Sequence, residues 1–354
     1  MNNPSNTMLV TGANGLIGRW LVPALLDRGY NVIAAMRKPE QRETEYRLWI
    51  KHHTRHPVEQ RLTVAEFNLE EAENSLQALA PMKQEIAAVF HLAAAFAWHL
   101  PTDHTHQINV DASDTLLHHC AQWPNLKRFV WIGGYRVASK PNVSDAQLYR
   151  KLGAYEASKL IAYDRLKTQA HNLKVPWTSV NPSTVIGHSQ TGQTTQLIGL
   201  AEMVQQLKQG KLPWVPGSPS TFIPLVHVDF VAEFTARLLD HPESINKEYW
   251  LLDENTPKLM PLLQRIAQHF GVKAPRGHVP VWLLKALPSM MLPSSKETLS
   301  FLSSDRYPVA CTQSLARKMG IAHLLTLNNV EAWADNVATQ EAFMTQFSPY
   351  SLPT

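Results

Sequence analysis

The sequence predicts an α/β fold, a doubly wound parallel sheet with a smaller, irregular α/β lobe toward the C-terminus. Three observations carry the prediction. Short apolar runs of strand length alternate with helical patterns through the first half of the chain. The first run leads directly into a glycine-rich turn. Beyond about residue 182 the alternation loosens and prolines become frequent, from Pro213 to Pro293.

The elements follow in order. Met8–Val10 is a buried strand that enters Thr11-Gly12-Ala13-Asn14-Gly15-Leu16-Ile17-Gly18. Ile17, Trp20, Leu21, Ala24 and Leu25 then recur at helical spacing, and Gly29 is placed to end the helix. Asn31–Met36 is the next strand, which completes a βαβ unit with glycines at its turn, the signature of a Rossmann domain. Residues 62–67, 86–91, 127–132 and 176–180 are further apolar strands, with helical patterns at 102–122 and 153–171 between them. The expected division is a nucleotide-binding domain over 1–182, to which 222–250 returns, and a substrate-binding lobe from 183–221 and 251–354.

Composition narrows the function classes. Hydrophobic residues are 44% and charged residues 18% of the 354, as in a well-buried globular protein. The net charge is only +4 and no long run of like charge occurs, so a nucleic-acid partner is not expected. Two cysteines, Cys120 and Cys311, imply no disulfide framework and fit a reducing cytoplasm. The first ten residues do not read as a signal peptide, and no stretch nears the roughly 18 apolar residues that span a bilayer.

The glycine turn points to a dinucleotide. Gly12 permits the turn, Gly15 lets the backbone approach a pyrophosphate, and Gly18 lets the helix pack against the strand. The amides at the helix start then face the phosphate charge. Cofactor choice is read after the second strand, where an NAD enzyme usually has an acid. Here the residues are Met36, Arg37 and Lys38, two cations suited to a 2′-phosphate, with Arg19 a possible third. NADP(H) is therefore expected over NAD(H), the alternative being that Arg37 and Lys38 are a solvated basic turn.

The histidine groups His52, His53, His56 and His99, His104, His106 lack cysteine partners and read as solvated helix ends, so no metal site is expected. His118 and His119 read the same way. Asp229 is expected to cap a helix.

The glycine loop, His91-Leu92-Ala93-Ala94, Asn109, Tyr155-Glu-Ala-Ser-Lys159, Asn181–Gly187 and Leu225–Asp229 together resemble the extended short-chain dehydrogenases/reductases over nearly the whole chain. The nearest branches are those of fatty-acyl or thioester reductases, dihydroflavonol reductases and 3β-hydroxysteroid dehydrogenases. The resemblance implies Tyr155 as proton donor or acceptor, Lys159 as its activating neighbour and Asn109 as the anchor of a proton-relay water. It implies cofactor contacts from Gly12, Asn14, Gly15, Leu16, Ile17, Gly18, Arg37, Lys38, Asn68, Leu69, Leu92, Ala93, Ala94, Tyr155, Lys159, Pro182 and Val185. The physical basis of the pair is plain: a phenol has a reference pKa of about 10, and an ammonium one helical turn away stabilises its anion. The family also forms dimers through helices such as 102–122 and 153–171.

One departure stands out. The family's Ser or Thr at the end of the fifth strand, which polarises the substrate oxygen, aligns with Gly133 or Gly134. Losing such a donor costs on the order of 10²–10³ in rate. Three readings stay open: another hydroxyl (Tyr135, Ser139, Ser183 or Thr184) substitutes, the glycines admit a bulky substrate or a water, or the protein binds cofactor without turnover as a sensor. The substrate is expected to be a large apolar small molecule with a carbonyl, alcohol or thioester, and a nucleotide-sugar epimerase or dehydratase is the rival enzyme class. Val281, Trp282, Leu283, Leu284, Leu287, Met290, Met291 and Leu292 either line the site, form lobe core or make a membrane-surface patch.

Overall fold

In the computed structural model of the chain, residues 6–96, 100–286 and 298–340 are described. The strands are β1 (Thr7–Thr11), β2 (Asn31–Met36), β3 (Leu62–Glu66), β4 (Ile86–His91), β5 (Arg128–Ile132), β6 (Trp177–Pro182), β7 (Thr184–Ile186), β8 (Trp214–Pro216), β9 (Leu225–His227), β10 (Lys247–Leu251) and β11 (Gly277–Val279). Seven of them form one parallel sheet in the order β3-β2-β1-β4-β5-β6-β10. The order reverses between β1 and β4, where a doubly wound sheet opens its binding crevice at the strands' C-terminal ends. Thr11 and His91, the last residues of those strands, are register partners at that opening.

Both sheet faces are buried, which explains why the strands read as continuous apolar runs and not as alternating ones. Leu9, Ile33, Val89 and Phe129 feed one core, together with Leu116 and Leu160 from the helices Ala112–Cys120 and Ala154–Asn172. Val10, Val32, Phe90 and Val130 feed the other, against Leu21 and Phe234 from the helices Leu16–Asp27 and Val228–Arg237. A third core belongs to the lobe, where the helices Leu200–Lys208, Leu259–Phe270 and Leu327–Thr339 bury Val204, Leu263 and Trp333. Two short parallel ribbons, β7 with β9 and β8 with β11, stand apart from the seven-stranded sheet. Leu315, Ala316 and Met319 pack into the second of the two sheet cores.

The first helix contains a proline, Pro23, in its interior. Proline lacks the N–H that would bond the carbonyl four residues back, that of Arg19. The Trp49 indole N–H takes over that carbonyl at 3.2 Å, so the helix continues with its polar groups paired. The helix ends as a left-handed turn should: Gly29 has φ +87°, and the Tyr30 amide reaches back to the Leu25 carbonyl at 3.2 Å.

The predicted helix over 102–122 is interrupted. Thr102–His106 is α-helical, Gln107–Asp111 is a π-helical turn, and the α-helix resumes at Ala112. Such a turn accommodates one extra residue and is frequent at functional sites. It holds Asn109.

Trp49→Phe should lower stability by about 1 kcal/mol in denaturant unfolding, because the Arg19 carbonyl loses its donor. Adding Pro23→Ala restores a main-chain donor and should recover most of that loss; a purely additive double variant would show that the indole bond is not what matters.

Candidate active site

The C-terminal ends of β1, β2, β4, β5 and β6 open into one cleft of about 430 Å³, walled on its far side by the lobe. Its floor is the turn Gly12–Gly18. Gly12 has φ +69°, and a Cβ there would lie 2.7 Å from the Ala93 amide nitrogen. At Gly18 a Cβ would lie 2.4 Å from the Gly12 carbonyl oxygen. At Gly15 the same test meets only that carbonyl, at 3.2 Å, so its other side is open to the cleft. The turn thus presents bare backbone at the start of the helix, as an anionic group requires.

A buried hydrogen-bonded set braces this floor. His91 bonds Thr11 Oγ1 at 2.8 Å through Nδ1 and Ser113 Oγ at 2.9 Å through Nε2. Burial, helped by the Lys159 charge, lowers His91 to about 3, so it stays neutral at any physiological pH.

Tyr155 and Lys159 stand one turn apart on the helix Ala154–Asn172, and both line the cleft. The Phe96 ring meets the Tyr155 ring edge-on at 4.7 Å. Burial and then the Glu156 carboxylate push the Tyr155 phenol well above its ordinary range. Burial lowers Lys159 to about 8, and its ammonium donates to the Ile132 carbonyl at 2.9 Å. Glu156 pairs with Arg136, and both belong to the cleft wall.

Asn109, expected to anchor a relay water, is buried behind the cleft wall. It is not among the lining residues; its amide donates to the Ala95 carbonyl at 3.2 Å and to Ser158 Oγ at 2.9 Å, and it accepts from the Ala95 amide at 2.7 Å. Both amide hydrogens are therefore committed. Ser158 in turn donates to the Tyr155 carbonyl at 2.8 Å, so Asn109 ties the helix of Tyr155 to the segment after β4.

Of the other expected residues, Asn14, Leu16, Ile17, Arg37, Asn68, Leu69, Leu92, Ala93, Ala94, Pro182 and Val185 all line the cleft. Lys38 does not: it is left-handed (φ 48°) at the start of the helix Pro39–His53, with its side chain exposed. Arg19 is turned away too, donating to the Asn14 carbonyl at 3.0 Å and to Glu45 at 3.1 Å while lying over Trp49. Asp229 caps nothing; it accepts from the amide and hydroxyl of Ser189, at 2.9 and 2.6 Å, and so holds the loop after β7. Among the described residues no cluster of His, Cys, Asp or Glu is arranged to hold a metal.

The two glycines after β5 are not equivalent. A side chain at Gly133 would meet Asn181 Oδ1 at 2.1 Å, whereas at Gly134 it would meet no atom within 4 Å. Only Gly134 has room for the missing hydroxyl. Nearby in the cleft wall, Tyr135 Oη and Ser183 Oγ are buried and find no hydrogen-bond partner among the described residues.

The apolar wall comes from places that sequence patterning did not mark: Phe96, Ile198, Met203, Ile223, Phe301 and Leu302. The helix Val281–Ala286 contributes nothing to it. Trp282 and Leu283 are 72% and 43% exposed, and Leu287, Met290, Met291 and Leu292 lie outside the described residues.

A model of the NAD dependent epimerase/dehydratase family matches residues 8–251, from the first strand to the last strand of the sheet. The chain belongs to that family. Among its relatives, cinnamoyl-CoA reductase of Medicago truncatula is 29% identical over 203 residues, 52% of this chain and 60% of the relative. Dihydroflavonol 4-reductase of Solanum lycopersicum is 25% identical over 262 residues, 68% of this chain and 63% of the relative. The chain thus spans a little under two thirds of the length of these relatives. In fold it is similar to the terminal R domain of the myxalamid PKS-NRPS biosynthetic pathway, with a TM-score of 0.76 at 17% identity over 95% of this chain and 91% of that one. Yeast methylglyoxal/isovaleraldehyde reductase Gre2 complexed with NADPH gives 0.68 at 16% identity, over 94% and 98%.

Gly133→Ser should cost about 1–3 kcal/mol through the clash with Asn181, while Gly134→Ser should leave the unfolding midpoint nearly unchanged. Equal losses would contradict the difference in space. The lowered Lys159 sets a pH signature. Below pH 8 the folded protein bears the full cost of burying that ammonium; above the ordinary lysine value of 10.5 the cost is gone. Lys159→Met should melt higher than wild type at pH 7, with the gain shrinking toward pH 10.

Proposed function

We propose that the protein is an NADP(H)-dependent reductase or dehydrogenase acting on a carbonyl, alcohol or thioester of a bulky apolar substrate. The observation that carries this reading is the convergence of bare glycine backbone, Arg37, the Tyr155–Lys159 pair and an apolar wall in a single cleft. The relatives that match this chain are oxidoreductases, which supports reduction over epimerisation.

The residues present fit a dinucleotide. The open side of Gly15 and the amides at the start of the first helix would hold its pyrophosphate, and Arg37 would face a 2′-phosphate with no carboxylate at 36–38 to repel it. Asn68, Leu69 and Leu92–Ala94 would flank it, with Lys159, Pro182 and Val185 at the nicotinamide end. When bound, the nicotinamide supplies or accepts the hydride.

The protein's own part is proton handling and orientation. A phenol raised by burial and by Glu156 is protonated at neutral pH, the state that can give its proton to a substrate oxygen as negative charge grows there. That is the reductive direction. Asn109, through Ser158, positions Tyr155. Of the hydroxyls that could stand in for the family's Ser or Thr, Tyr135 and Ser183 line this cleft with their oxygens unpartnered among the described residues. A shift of either side chain toward the cleft would let it polarise the substrate oxygen, while the space at Gly134 accommodates substrate. The apolar wall supports a large, greasy substrate over a sugar nucleotide.

Titration with NADPH and NADH tests the cofactor reading. NADPH should bind much more tightly, and Arg37→Ala should weaken it by about 10- to 100-fold while leaving NADH unchanged. Equal affinity for both would overturn the assignment to NADP(H). Tyr155→Phe should cut turnover by about 10²–10⁴ with NADPH binding intact. Tight NADPH binding with no turnover across aldehyde, ketone and thioester panels would favour the sensor instead.

A further inference from the structure

We propose that the protein docks on an anionic lipid surface through the ribbon of β8 and β11 and the short helix that follows it. The observations are independent of the cleft's chemistry. Three of the seven large apolar side chains that the described residues leave exposed are here: Trp214 at 54%, Trp282 at 72% and Leu283 at 43%. Trp214 is register partner of Gly277, and a Cβ on Gly277 would lie 2.5 Å from the indole ring, so the glycine lets that ring lie flat across the neighbouring strand. Trp282 and Leu283 follow β11 within a few residues, on the helix Val281–Ala286. The ribbon presents one exposed indole and the helix after it a second, the side chain most at home where water meets lipid.

Charge selects the partner. Residues 203–228 and 255–286 contain no Asp or Glu, against 29 in the whole chain. Lys211 precedes β8 by three residues, and Lys273 and Arg276 lead into β11; all three are exposed. The Arg276 amide bonds the Pro213 carbonyl at 2.9 Å, which brings the two cationic lead-ins together. Exposed indoles beside cations with no acid in the same segments are the composition of an interfacial anchor, not of an ordinary solvated surface. The helix Leu200–Lys208 joins this ribbon to the cleft, with Leu200 and Met203 in the apolar wall and Lys208 exposed at the other end. A membrane-docked ribbon would stand one short helix away from the site that takes a greasy substrate.

Sedimentation of the full chain with vesicles tests this. Vesicles of equal parts phosphatidylcholine and phosphatidylglycerol should carry the protein down, and pure phosphatidylcholine should not. Lys211→Gln, Lys273→Gln and Arg276→Gln combined should weaken partition by about a hundredfold, at roughly fivefold per cation. Trp214→Ser, Trp282→Ser and Leu283→Ser combined should abolish it with the melting midpoint retained. Should that variant fail to fold, brominated lipid should quench wild-type tryptophan emission more than that of Trp282→Phe. Absence of binding to the mixed vesicles overturns the proposal. So does a wild-type dimer that the serine variant converts to monomer without any vesicle binding, which would assign the face to a second copy. Capture by polyglutamate with no vesicle binding would assign it to an acidic protein.

Discussion

The cleft depends on backbone meeting backbone where no side chain can stand. β1 and β4 end side by side, and the chain leaving each passes within van der Waals distance of the other at Gly12 and Ala93. The first helix comes down on the same spot through Gly18. A single methyl at either glycine would push these segments apart, and with them the ring of amides aimed at the cleft. The Thr11–His91–Ser113 hydrogen bonds lock the arrangement from below. The neutrality of His91 matters there, because a buried imidazolium beside Lys159 would set two cations against each other in a place with little water.

A second layer of order is carried by polar groups that never reach the cleft. Asn109, Ser158 and the carbonyl of Tyr155 form a continuous hydrogen-bonded path from the segment after β4 to the helix bearing Tyr155. Phe96, one residue past Ala95 on that segment, lies against the Tyr155 ring. The same few residues thus hold the phenol's backbone and its ring. Such buried, satisfied networks favour one geometry over many.

Much of this was legible in the sequence because it is local. The glycine spacing, the strand runs and the one-turn interval from Tyr155 to Lys159 each lie within a short window, where periodicity reports structure directly. What was not legible is what distant segments do to one another. Lys38 adjoins Arg37 in the chain, yet a left-handed backbone at the start of the next helix separates their side chains. Arg19 is captured by Glu45 and Trp49, from a helix beyond the second strand. The apolar wall gathers Phe96, Met203, Ile223 and Phe301 from four separated stretches, and even the helical pattern of Leu200–Lys208 does not tell which of its buried residues turn to the cleft. The two glycines after β5 look alike in sequence, and only Asn181 on the adjacent strand tells them apart.

The π-helical turn at Gln107–Asp111 bears on how this chain is compared with its relatives. An extra residue rotates everything after it by about 100° about the helix axis, at 3.6 residues per turn. Here that rotation reconciles two demands on one helix: Asn109 toward Ala95 and Ser158, and Leu116, Leu117 and Cys120 toward the sheet. A relative that presents the same two faces from a helix regular through this region would have one residue fewer here, and its alignment gap would fall beside Asn109. An ungapped alignment would match the asparagine and misassign every core position of the following helix, or the reverse.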